Sequence, residues 1–419
     1  MINKGNFRFT NFLSTLATAA LISGVVNAQT EQNNATTIEP VVRSVGKLNI
    51  SIDPRMELLS TVQLLSSNYP MGGGGRVIPY RREIINCFEH FSTHEAVTMT
   101  DSLLKYGFVY DAPVIFMMNL SQPPDLEPQR DFSDYLMQTA ISRSGGGENL
   151  EKYRKDIQQF AEISDFETFW NCKIPYYNQI LDLSVNSIGK IDMIKTLEDY
   201  FNETQESYNV IIAPAINGGY GPRIPADSGR YNIYGILETR GFKNDIPYLH
   251  KSFFLFYVWH EFGHSFVNPA IEKYTERVAS LDKMFDPIKE QMQKQAYGNW
   301  ETVVKEHILR AVHIRLERKH FGLFRARQQL KWELSNGYIY IKPLIKKLKE
   351  YEKQRDKNNI TFTDFMPELL TTLDDLHTLE YWTQVKINTK SGMTLGFAIR
   401  FIIAMNSNSK QSDFDCHCL

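Results

Sequence analysis

The run Ser252-Phe253-Phe254-Leu255-Phe256-Tyr257-Val258-Trp259-His260-Glu261-Phe262-Gly263-His264-Ser265-Phe266-Val267 contains a single charged residue, Glu261. A solvated helix mixes charged with apolar side chains, so this run belongs to a helix buried almost all round at the centre of a domain. Two histidines four apart on a helix stand one above the other, so the imidazoles of His260 and His264 can reach one metal ion. Buried His and Glu groups need a partner, and a divalent cation supplies it. Glu261 is not spaced as a ligand beside His260; it faces the same cleft and is expected to act as a general base on a water. Asn268-Pro269 is expected to end the helix, because the residue before a proline is pushed out of the α region.

A site of this type needs a third protein ligand and leaves a fourth position for water. An extended H-E-x-x-H-x-x-G-x-x-H motif is excluded, since Val267 and Ala270 stand where its glycine and third histidine would be. The segment Asn299 to Arg315 has no interior Gly or Pro and reads as a largely buried second helix. On it Glu306, Arg310 and His313 fall at i, i+4 and i+7, on one stripe. Glu306 is therefore expected to be the third ligand, with Arg310 orienting a carboxylate or holding a substrate group. His313 is expected to donate to an oxyanion. His307 and Glu272 are the alternatives for the third ligand; Glu276 and Glu301 are weaker. The bland reading makes Glu306 and Arg310 an i,i+4 ion pair and His313 a core histidine.

His260 to Pro269, with Glu306-His307-x-x-Arg310-Ala311, resembles the zincin metallopeptidases whose third ligand is a glutamate, the gluzincin type. More narrowly, the chain resembles a family of secreted bacterial proteins of unknown function with the signature H-E-F-x-H-S-F-V-N-P. The second segment departs from the N-E-x-x-S-D form of the best-known gluzincins, which keeps the third ligand open between Glu306, His307 and Glu272. The resemblance implies Zn2+ as cofactor, His260 and His264 as ligands, and Glu261 as base in hydrolysis of a protein or peptide substrate. It implies an α+β, zincin-like fold, with a sheet-containing N-terminal half, a helical C-terminal half and the cleft between them. Two other functions are compatible with these residues: a zinc hydrolase of a non-peptide amide, and a non-catalytic binding protein on the same fold. An intact Glu261 argues against the second, since binding alone needs no general base.

Lys4 and Arg8, the apolar stretch Phe12 to Val26, and Val26-Asn27-Ala28 have the layout of a secretory signal peptide cleaved after Ala28. The expected location is therefore secreted or periplasmic, and the stretch is too weakly apolar for a stable membrane span. Removing Lys4 and Arg8 takes the formal net charge from −2 to −4, which argues against nucleic acid as a partner. Cys87, Cys172, Cys416 and Cys418 are too few for a disulfide framework; a Cys87 to Cys172 bridge is left open.

Five regions are expected: a signal peptide (1–28), a mixed α/β region (29–200), a catalytic core (201–320), a helical region (321–405) and a polar tail (406–419). Lys47 to Ile52 alternates as a strand, and Met56 to Leu65 fits a strand or a short helix. Glu83 to His94, Ala96 to Lys105, Asn149 to Ile163 and Ile191 to Phe201 read as helices, and Pro113 to Leu120 as a buried strand. Gly72 to Gly75 and Gly145 to Gly147 read as loops, because neither has phosphate-loop spacing. His90 and His94 are four apart but lack the intervening glutamate, a weak second metal site. Tyr208 to Ile216 and Arg230 to Glu238 read as two strands of a hairpin beside the active-site helix, able to hold a peptide by strand addition. Tyr220 or Tyr231 would then reach the cleft as a donor, although each fits packing as well. Phe324 to Glu333, Pro343 to Lys357, Phe365 to Leu373 and Met393 to Ala404 read as helices of the C-terminal half.

Overall fold

The computed structural model describes residues 37–70, 78–132, 134 and 137–378. The signal segment, the Gly72 to Gly75 loop, the Met393 to Ala404 helix and the polar tail lie outside the described residues. The fold is α+β, with a mixed sheet and a helical C-terminal half, as the residue pattern leads one to expect. Among the described residues no helix is long and apolar enough to cross a membrane.

The sheet contains β1 (Val41–Val45), β2 (Leu48–Ile52), β3 (Ser207–Ile212), β4 (Gly219–Tyr220), β5 (Arg223–Pro225) and β6 (Tyr231–Leu237). Its order is β1-β2-β3-β6-β4, with β5 also paired to β6. β2, β3 and β6 run parallel, with Ile50 opposite Val210 and Ile211 opposite Ile236, while β4 and β5 are antiparallel to β6. The expected β3–β6 hairpin is therefore corrected. Residues 213–230 fold back along β6 as an irregular edge strand, which lets the next strand enter parallel to β3 without a crossover helix. Strand β2 comes from the first 200 residues and completes the sheet that carries β3 and β6. A separate ribbon, β7 (Gly241–Lys243) and β8 (Ile246–Tyr248), turns at Asn244-Asp245, both at positive φ as a two-residue hairpin requires.

Among the described residues eight α-helices lie between β2 and β3: α1 (Pro54–Leu65), α2 (Pro79–Phe88), α3 (Glu95–Leu103), α4 (Asp111–Met118), α5 (Gln138–Ser144), α6 (Gly147–Ile163), α7 (Phe166–Ser187) and α8 (Met193–Phe201). The helical choice for α1 is made by its start: Asp53 caps Arg55 N at 2.9 Å, and Pro54 sits where no N–H is needed. Pro113 to Leu120 is not a strand but most of α4. A short apolar run buried on all sides has no period to read, and Pro113 falls in the first turn, where a helix tolerates it. After β8 come α9 (Lys251–Glu272), α10 (Thr275–Ala279), α11 (Lys289–Gln293), α12 (Trp300–Ser335), α13 (Ile341–Asn358) and α14 (Phe362–Thr378). α9 is the hub: it packs on β6 and β4 and also meets α8, α12 and α14.

Helix α9 does not stop at Asn268; it runs through Pro269 to Glu272. A proline inside a helix leaves the carbonyl four residues earlier without its donor, here Ser265 O. Gln205 Nε2 supplies the missing hydrogen bond to Ser265 O at 3.2 Å, so the continued helix keeps its backbone satisfied.

Candidate metal centre

Helix α9 presents His260 and His264 with their ring centroids 4.9 Å apart, on the face that meets α12. The close approach of the two helices depends on Gly263. A Cβ there would lie 2.4 Å from Leu309 Cδ1, so a larger residue would displace the Leu309 side chain that fills the crossing. The result is that Glu306 reaches across: its Oε1 is 3.3 Å from His264 Nε2 and its Oε2 is 3.7 Å from His260 Nε2. Ligands each about 2.1 Å from a tetrahedral ion stand about 3.4 Å from one another, so the spacing suits a small divalent cation. Among the described residues His260, His264 and Glu306 form the group whose ligating atoms all lie within 4.8 Å.

The charge around the three is arranged in series. Arg310 donates to Glu306 Oε2 from Nε at 3.1 Å and to Glu333 from Nη1 at 3.1 Å, with its guanidinium 4.3 Å over the Tyr338 ring. Burial alone would raise the Glu306 carboxyl, but Arg310 and the two imidazoles overcome it and hold Glu306 ionised, well below the usual carboxylate range. Burial keeps His260 neutral, the form that binds metal. His264 also loses by burial, yet its contact with Glu306 raises it overall. His264 Nδ1 faces Asn268 Oδ1 at 3.3 Å, a partner one turn further along α9 that orients the ring.

Glu261 points to the sheet edge instead of α12. A Cβ on Gly221 would lie 2.9 Å from Glu261 Oε2, and one on Gly219 would lie 3.5 Å from Oε1. Gly221 lets the edge strand pass directly over the carboxylate, and Gly219 leaves room for the Tyr257 ring, which a Cβ would meet at 2.9 Å. Burial pushes the Glu261 carboxyl up to about 7, so it exchanges a proton near neutral pH.

The other candidates lie elsewhere. His307 turns to the adjacent face of α12, with Nδ1 on Val303 O at 2.8 Å and its ring against Tyr338 and Tyr340. Glu272 is half-exposed and bridges Arg223 and Lys305. Of the three contenders, only Glu306 meets the histidines. His313 is buried against Phe256 and Trp259, with Nε2 3.7 Å from Glu317; Phe256 touches both its ring and that of His260. The Tyr220 hydroxyl donates to Asn217 O, and Tyr231 carries the Arg223 guanidinium over its ring. His94 caps α3 by accepting from Ala96 N, and Cys87 and Cys172 are free thiols. Gly263, Gly221, Asn268 and Glu333 escaped the sequence reading. Asn268 had a readable signal, a polar group four residues beyond His264; Glu333 had none, lying in a charged stretch 23 residues beyond Arg310.

A family model described as a domain of unknown function, DUF4932, matches residues 48–372. The chain belongs to the DUF4932 family. The DUF4932 region starts at the first residue of β2 and ends within α14, so it takes in every residue of the candidate centre. No curated protein and no solved structure matches the chain.

Proposed function

We propose that this DUF4932 protein is an exported, zinc-dependent peptidase of zincin type, with His260, His264 and Glu306 as metal ligands and Glu261 as general base. The observation that carries this reading is the convergence of two imidazole nitrogens and one ionised carboxylate within 4.8 Å at a helix crossing. Two nitrogens and one oxygen are a donor set of zinc hydrolases, and three protein ligands leave a position for water. Zinc held there supplies an acidified water and a Lewis acid for the carbonyl oxygen. The chain supplies the rest. Arg310 keeps Glu306 ionised, and Glu333 balances Arg310. The edge strand β4–β5 holds a substrate backbone by strand addition, with little regard to its sequence. A carboxylate oxygen of Glu261 takes the proton of the attacking water and passes it to the leaving amine nitrogen.

The test combines elemental mass spectrometry with a peptide-cleavage assay on the wild type and on His264→Ala, Glu306→Ala and Glu261→Gln. About one zinc per chain is expected, lost in the first two variants and kept in the third, as three-ligand sites require. Turnover in Glu261→Gln is expected to fall on the order of 10²- to 10⁴-fold. A wild type that takes up no zinc on reconstitution would sink the reading.

A further inference from the structure

On the sheet edge beside Glu261 there is a recess of about 230 Å³, bounded by Gln63, Tyr69, Tyr110, Asn217, Gly219 and Tyr220. Ligand pockets for whole small molecules start at about 300 Å³, so this one has room for a single side chain. Gly219 belongs to both places: it forms part of the recess wall, and its Cα faces the Glu261 carboxylate and the Tyr257 ring. Gly221 passes over Glu261 two residues further along the same edge. A chain paired with that edge advances about 3.4 Å per residue, so the recess receives a side chain within two residues of the bond over Glu261.

The lining specifies what would enter. Among the described residues no Asp, Glu, Lys or Arg lines it, and three tyrosine rings do. Tyr69 is engaged by the backbone of Tyr110, and the Tyr220 hydroxyl donates to Asn217 O at 2.5 Å. Gln63 stands apart. It is 2 % exposed, it lines the recess, and its side-chain amide has no hydrogen-bond partner among the described residues. The amide is open to the recess, and a polar tip arriving there would replace the water that meets it.

We infer that this recess is the specificity pocket of the enzyme, taking an uncharged aromatic side chain with a hydroxyl tip, a tyrosine, whose hydroxyl bonds to Gln63 beside the scissile bond. The assignment rests on the peptidase reading above for the position of that bond. Aromatic walls, with no charge partner among the described residues, disfavour lysine and glutamate, and the amide discriminates tyrosine from phenylalanine.

The experiment measures binding apart from cleavage. Calorimetry with the Glu261→Gln chain compares three capped tripeptides, acetyl-Ala-Tyr-Ala-amide and its Phe and Lys analogues; the same set is then run with Gln63→Leu added. The Tyr peptide is expected to bind about tenfold tighter than the Phe peptide, and the Lys peptide weakest. Gln63→Leu should bring Tyr level with Phe. Equal binding of Tyr and Phe before the Gln63 change, no binding of any tripeptide, or a Tyr preference that survives Gln63→Leu would overturn the pocket. If Gln63→Leu does not fold, the Tyr-to-Phe ratio in the Glu261→Gln chain decides alone. Cleavage of the same peptides by wild type is scored separately. Preferential binding without cleavage would leave the pocket standing and remove the peptidase reading; cleavage without preference would do the reverse.

Discussion

Glu57 and Glu306 are both buried, at 0 % and 4 % exposure, and their surroundings drive them to opposite protonation states. Glu306 has Arg310 and two imidazoles at its oxygens and stays ionised. Glu57, inside the α1, α2 and α7 cluster, has no cation beside it among the described residues. Its Oε2 accepts from Tyr80, whose hydroxyl meets Tyr177 at 2.8 Å, and its Oε1 has no partner among the described residues. Burial pushes its carboxyl up to about 8, so it carries a proton at neutral pH. The difference teaches that burial sets the cost of a charge while the neighbours choose the charge state. Only the ionised carboxylate, converging with two imidazoles, is prepared to hold a cation.

The largest effect is expected from breaking the contrast at Arg310. Arg310→Met leaves Glu306 and Glu333 buried without their shared cation and should cost on the order of 3–5 kcal/mol of stability in chemical denaturation. Glu306 should then titrate upward toward the behaviour of Glu57, and zinc retention should fail at a higher pH than in wild type. Unchanged stability and zinc retention would mean that Arg310 does not set the charge of Glu306.

Glu57→Gln sharpens the contrast from the other side. Because the folded-state value lies above the unfolded one, the folded chain holds a proton that the unfolded chain has released. Stability should therefore fall as pH rises from about 4.5 to about 8, by up to about 1.4 kcal/mol per pH unit from this group, and level off above. The neutral amide removes that slope, so denaturation curves of Glu57→Gln should be flatter than wild type between pH 5 and 8. An identical slope in both proteins would place the proton elsewhere.

The smallest effect concerns the spacing that makes Glu306 available. Gly263→Ala drives a methyl into Leu309 and should cost about 1–3 kcal/mol through overpacking. By widening the α9–α12 crossing it should also weaken zinc binding, read by chelator competition. Glu57 lies on α1, which packs on α2, α3 and α4, so the pH slope assigned to it should survive; loss of both would show a global change of fold.

Local pattern carried far in this chain. The near absence of charge in residues 252–267 marks a buried helix, the alternation in Lys47 to Ile52 marks β2, and the i, i+4, i+7 stripe singles out Glu306 and Arg310. The same reasoning placed a strand at α4, because a short run buried on every side shows no period. It ended α9 at Asn268, because the rule for proline is local and Gln205, 60 residues away, is what satisfies Ser265 O. It made β3 and β6 a hairpin, because adjacency in sequence says nothing of how an edge strand fills the interval.

The sequence by itself determined that His260, Glu261 and His264 share one helix and that the histidines share one face. A 3.6-residue period needs no partner to do this. Which of Glu306, His307 and Glu272 faces them, where Glu261 points, and what compensates Arg310 were decided by the tertiary structure. Those answers depend on how closely α12 and the sheet edge approach α9. That approach is set by Gly263 against Leu309 and Gly221 over Glu261, contacts between residues far apart in the chain that no local pattern encodes.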